Sequence, residues 1–253
     1  GGARCDELDI TNSKKQDFRS AEARAVVLRQ IAAGLYDIVI IAFPCDTYAI
    51  VRFLSHPDYP VYRTFNHILG IPGLYALGDM HCQRVIDANT LTEFAGDCIK
   101  LQHSLGRSWI AENPVQRSDM HGWWKPFYSR NFSEHGSGWQ TPWFAGRDGV
   151  IAMTDPIHVH VPMCFWGCER QHFVTLLMSH DLTRVKATLE HWLYTAPGIR
   201  AGCCAHAKHD GEVGFAQGRS LVKDDGVYKT GFCQDLVALI MHESLPCLPS
   251  RAP

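Results

Sequence analysis

The chain has 253 residues, 46% of them hydrophobic, and a formal net charge of -2. That is enough apolar material for one large core, which excludes a disordered tail, and too little positive charge for an overall basic field, so any nucleic-acid contact must rest on local patches. No apolar run approaches the roughly 20 residues of a membrane span.

The first ten residues, GGARCDELDI, carry no basic-then-apolar leader pattern. Ten irregularly spaced cysteines read as reduced thiols rather than a disulfide framework. Together these features predict an intracellular protein with no membrane partner, nuclear in a eukaryote and cytoplasmic otherwise. Oligomeric state is not readable.

In chain order, CDELDI is a short strand candidate, and AEARAVVLRQIAAGL has the apolar spacing of a helix closed by Gly34. YDIVIIAF follows, apolar throughout, as a strand covered on both faces would be. Strand, helix and strand predict a βαβ unit. Residues 54 to 78 are broken by prolines and glycines and read as an ordered loop, of the functional kind that often follows a strand's carboxyl end. A helix is predicted from about 79 to 105, then a strand in SWIAENP, then an irregular aromatic-rich insertion over 119–149. IHVHVPMCFWG and HFVTLLMS predict an edge hairpin, residues 181 to 194 a helix, and TGFCQDLVALIMHE a closing helix.

Two strands end in reactive groups beside a proline. The first closes on Phe43, Pro44 and Cys45, the second on Glu112, Asn113 and Pro114. A cysteine is most often a small buried hydrophobe and an acid at a strand end is most often its solvated edge. At the carboxyl ends of neighbouring strands, where open α/β sheets bind ligands, the pair instead makes a thiol and an acid aimed at one bound ring. Arg52 is close enough in sequence to lower the thiol's pKa, and Asp46 would raise it.

FPCDTYA followed by ENP resembles the paired Pro-Cys and Glu-Asn motifs of the cytosine-C5 DNA methyltransferases, and more closely the divergent members of that superfamily in phages and protist mobile elements. Pro44, Cys45, Thr47, Tyr48 and Arg52 fit the first motif, and Glu112, Asn113 and Pro114 the second. ELDI, GIPGL, Asn89, MCFWGCERQHFVTLLMS and YKTGFCQDLVALI extend the likeness over most of the chain.

The resemblance implies a Rossmann-like class I methyltransferase, an α/β fold with a doubly wound, mostly parallel sheet and an antiparallel edge hairpin. It implies S-adenosylmethionine as cofactor and DNA as partner. Cys45 would be the nucleophile toward cytosine C6 and Glu112 the partner of ring nitrogen 3, with Asn113 shaping that strand end and Arg170 supporting the base or the glutamate. Asp9, Asp17, Phe43 and Pro44 would touch cofactor. Because the ring must leave its stack to be reached, base flipping is implied. The whole of 1–253 would be one methyltransferase-like domain, with 181–226 a short target-recognition-like segment. The family's glycine loop would fall before Gly1, which predicts either an N-terminally truncated chain or one that does not bind cofactor in the usual way.

Rival readings start from other residues. Cys164, Cys168, Cys203, Cys204, His206 and His209 are zinc-ligand types, but C-x3-C and CC-x-H-x2-H match no ordinary finger spacing, so no metal is expected. His158 and His160 alternate on one face of an edge strand rather than forming a ligand pair. The tryptophans of 123 to 143 have the chemistry to stack unpaired bases, although packing explains them better. The alternative in function is a catalytically inactive, mobile-element-encoded domain that binds nucleic acid or zinc with the same fold.

Overall fold

A computed structural model describes residues 4–9, 13–53, 60–115, 130, 132–166, 173–195, 199–200, 203–204, 215–216, 219–220 and 230–244. Helix α1 (Ala21–Ala32) starts where the Ser20 side chain accepts a hydrogen bond from the Ala23 backbone N–H. It stops at Gly34, whose φ of 69° lets Leu35 N–H return to Gln30 O and Gly34 N–H to Ile31 O. The chain then enters β1 (Ile38–Ala42).

Helix α2 (Asp79–Ser104) connects β1 to β2 (Ser108–Pro114), which lies parallel to β1 with Ala42 opposite Glu112. Strands β3 (Ile157–Pro162) and β4 (Phe173–Met178) pair antiparallel, and β4 inserts between β3 and β2, antiparallel to both. The order is β1-β2-β4-β3. Two further two-stranded pairs join β5 (Ile199–Arg200) to β6 (Cys203–Cys204) and β7 (Phe215–Ala216) to β8 (Arg219–Ser220).

Alternation along β2 and β4 builds two cores. Ile110, Val174, Leu176 and Met178 face α5 (Thr183–Thr195) and α6 (Thr230–Ser244), meeting Leu189, Leu193 and Leu236. Trp109, Ala111 and Leu177 face the other way, onto Ile99 of α2 and onto Phe144 and Val150, which belong to the short helices α3 (Pro142–Ala145) and α4 (Val150–Thr154). Every residue of β4 is buried, as befits a central strand.

The predicted α/β class holds, with helices on both faces of the sheet. A mostly parallel sheet does not: one pair is parallel and two are antiparallel. The βαβ unit also lies one element later than predicted. Residues 4–9, which include most of CDELDI, are neither helix nor strand, and the parallel crossover is β1-α2-β2. For the same reason β1 is less covered than its apolar run predicts. Among the described residues no strand lies on its outer edge, and Ile40 is 47% exposed. His158 is exposed on edge strand β3 and His160 half-buried, as expected. Among the described residues no helix is long and apolar enough to cross a membrane.

Candidate active site

Cys45 and Glu112 lie just beyond and at the carboxyl ends of two parallel neighbours. β1 ends at Ala42, opposite Glu112, and Phe43 and Pro44 carry the chain on to the thiol. The Asn113 side-chain amide donates to Phe43 O at 2.9 Å, which ties one strand end to the other. Trp139 Nε1 donates to Pro114 O at 3.0 Å and the indole meets the Phe43 ring edge-on at 5.2 Å, closing the same corner. Gly138 is required there: a Cβ would sit 2.6 Å from the Phe43 ring and 2.9 Å from Asn113 Oδ1. Phe43 also stacks on Phe144, with ring centroids 4.8 Å apart. Of the aromatic-rich segment, then, Trp139 and Phe144 are core residues rather than a platform for bases.

Glu112 is 7% exposed, and its charge reaches the thiol. The Cys45 thiol is pushed up to about 12, first by burial, then by the charge of Glu112, then by that of Asp46. The expectation that Arg52 lowers the thiol is therefore overturned. Arg52 is buried and committed to Asp46: Nη2 lies 2.5 Å from Asp46 Oδ1, Nε donates to Asp46 O at 2.7 Å, and the guanidinium stacks on the Tyr62 ring at 4.1 Å. It neutralises the neighbouring acid in place of favouring the thiolate.

Beside this corner opens a cavity of about 830 Å³, and all four residues expected to touch cofactor line it: Asp9, Asp17, Phe43 and Pro44. Phe18, Phe43 and Phe94 give it flat apolar wall, and its charged lining is four aspartates (Asp9, Asp17, Asp46, Asp87) against two arginines (Arg19, Arg84). The lining suits a ligand with an aromatic ring and a positive centre. Asp17 is held by Arg19, whose Nε and Nη2 donate to its two carboxylate oxygens at 2.8 and 2.7 Å, and that bonding keeps its carboxyl below the usual range. Asp9 N–H donates to Gln16 Oε1 at 2.9 Å, which fixes the segment bearing it.

Arg170, His206 and His209 lie outside the described residues, as do the side chains of Cys203 and Cys204. The sequence reading missed two members of this region. His135 is buried and hydrogen-bonds through Nε2 to Tyr48 O at 2.6 Å, and Arg63 is buried under the turn that follows Cys45. Only the isolated cation in VYRTF, an apolar and aromatic setting, pointed to Arg63. The chain matches no protein-family model, and no curated protein or solved structure is significantly similar to it.

Proposed function

We propose that the protein transfers a methyl group from S-adenosylmethionine to C5 of cytosine in DNA. One observation carries this reading: the thiol and the carboxylate stand at adjacent strand ends, close enough for the carboxylate's charge to add to the thiol's raised pKa, beside a cavity lined by the four residues expected to touch cofactor. The ring and cation preference of that cavity fits an adenosyl sulfonium. When bound, S-adenosylmethionine supplies an electrophilic methyl group on a positively charged sulfur.

The chain's own residues prepare the acceptor. Cys45, once it has lost its proton, adds through Sγ to cytosine C6, while Glu112 hydrogen-bonds or protonates ring nitrogen 3. The C5–C6 double bond opens, and C5 gains the enamine character a neutral cytosine lacks. After transfer the C5 proton leaves to base, the Sγ–C6 bond breaks and the thiol is restored. Burial and the like charge of Glu112 keep the resting thiol protonated; once the carboxylate has taken up a proton, that charge is gone from beside the sulfur and the acid can serve ring nitrogen 3.

The test is trapping. Incubated with S-adenosylmethionine and duplex DNA containing 5-fluorocytosine, which has no C5 proton to lose, the protein forms a covalent complex stable to denaturing electrophoresis, and mass spectrometry places the bond at Cys45. A protein that binds the DNA yet forms no adduct would instead be a binding module.

A further inference from the structure

We infer that Arg63 is a positioning residue: its buried guanidinium, spread over four hydrogen-bond partners, fixes the turn Asp46–Tyr48 that sets how Cys45 presents its thiol. Arg63 is 1% exposed. Nε donates to Thr47 Oγ1 at 2.9 Å, Nη1 to Ile68 O at 2.6 Å and to Asn89 Oδ1 at 2.7 Å, and Nη2 to Val85 O at 3.2 Å. The guanidinium also stacks on the Tyr48 ring at 4.2 Å from its centroid. None of these partners is a carboxylate. A buried cation without an acid partner is costly, and burial pushes the Arg63 pKa down accordingly. What the residue contributes is geometry: one planar fork joins the turn after β1, the loop at Ile68 and helix α2.

The turn is one residue from the nucleophile. Tyr48 N–H donates to Cys45 O at 2.9 Å, so fixing Thr47 and Tyr48 fixes the carbonyl end of Cys45. Arg52 grips Asp46 from its other side, through the backbone oxygen and the carboxylate. Thr47 and Asp46 also line the cavity, so the turn, like the end of β1 before it, is shared by the thiol and the expected cofactor site. A thiol held at the wrong angle or depth loses addition rate steeply, on the order of 10²-fold for a displacement of about 1 Å.

The catalytic consequence rests on the methyl-transfer reading; the effect on thiol reactivity does not. Thr47→Val removes the acceptor of Arg63 Nε at nearly constant volume, Thr47→Ser keeps it, and Arg63→Met removes every donor while retaining a long stem. Native protein is labelled with iodoacetamide and the modified cysteines are located by mass spectrometry, with buried Cys98 of α2 as internal control. Thr47→Val and Arg63→Met are expected to raise Cys45 labelling roughly tenfold, because a loosened turn rehydrates the thiol, and to slow adduct formation on 5-fluorocytosine DNA by about 10- to 100-fold. Thr47→Ser stays near wild type and Cys98 is unchanged throughout. Wild-type labelling of Cys45 in Thr47→Val overturns the inference, and so does a rise at Cys98 in step with Cys45, which would make the role general packing. Should Arg63→Met fail to fold, Thr47→Val decides. If the wild-type protein forms no adduct, the methyl-transfer reading falls and the labelling comparison still tests Arg63.

Discussion

The two halves of the sheet use similar sequence for different ends. β2 and β4 are buried along nearly their whole length, between α2 with its short companions on one face and α5 and α6 on the other, and their side chains are core on both faces. β1 is equally apolar, reading IVIIA, yet it is partly exposed, has an open outer edge among the described residues, and lines a cavity with Val39, Ile40, Ile41 and Ala42. Hydrophobic composition does not distinguish the half that packs from the half that leaves space for a ligand. Position in the sheet does.

The largest test of this contrast is at the thiol. Cys45→Ser is expected to lower methyl transfer at least about 10³-fold, since a serine hydroxyl at this site has no comparable nucleophile to offer. On the proposed reading, affinity for S-adenosylmethionine by calorimetry is expected to stay within about twofold of wild type, because Cys45 is not part of the cavity lining. Retained transfer in the serine variant would remove the mechanism.

Next in size is the packed half against the open one. Leu176→Ala, deep in the core under α5 and α6, is expected to cost about 3 kcal/mol by denaturant unfolding. Ile40→Ala, at a residue 47% exposed, is expected to cost under about 1 kcal/mol. Equal losses would mean that the outer edge of β1 is as tightly covered as the centre of the sheet.

Much of this contrast was legible in the sequence, and the exceptions have physical causes. SWIAENP is a strand over all seven residues, and helices α1, α2, α5 and α6 lie close to their predicted spans, because in each the apolar period and the bounding turns agree. Residues 5–9 of CDELDI form no strand because a strand needs a hydrogen-bonded neighbour, which local pattern cannot supply. The meeting of Cys45 with Glu112 was legible through motif order. The sign of the thiol's shift was legible only in part: Asp46 was expected to raise it, but the capture of Arg52 by that same Asp46 depends on a side-chain contact. Arg63 was hidden for the same reason, since its partners at Thr47, Ile68, Val85 and Asn89 converge only in space.

The charge coupling at the two strand ends gives the third prediction. A thiol raised by desolvation and by two carboxylates ionises only at strongly alkaline pH, so iodoacetamide labelling of Cys45 rises with pH toward about 12. Glu112→Gln removes the carboxylate with the larger effect on the thiol. Its effect is to lower the apparent pKa and speed labelling at pH 8 by about tenfold, one pKa unit being worth a factor of ten in thiolate below the pKa. An unchanged or slower rate would mean that the carboxylate does not act on the sulfur.

Asp46→Asn should move the thiol the same way but less, by about two- to threefold in labelling rate at pH 8. Three features set that order. The Asp46 carboxylate is 58% exposed, so water screens it; Arg52 sits on it at 2.5 Å and cancels much of its field; and Arg84 approaches its other oxygen at 3.8 Å. Glu112, by contrast, is buried at the end of β2. The small effect is diagnostic because of Arg52: its positive charge offsets the acid's field at the sulfur in the wild type, so Asp46→Asn removes a negative charge that the cation already partly cancels. The double variant Asp46→Asn with Arg52→Met separates them. Labelling should fall back toward the wild-type rate, and a rate unchanged from that of Asp46→Asn would show that the arginine's charge does not reach the sulfur.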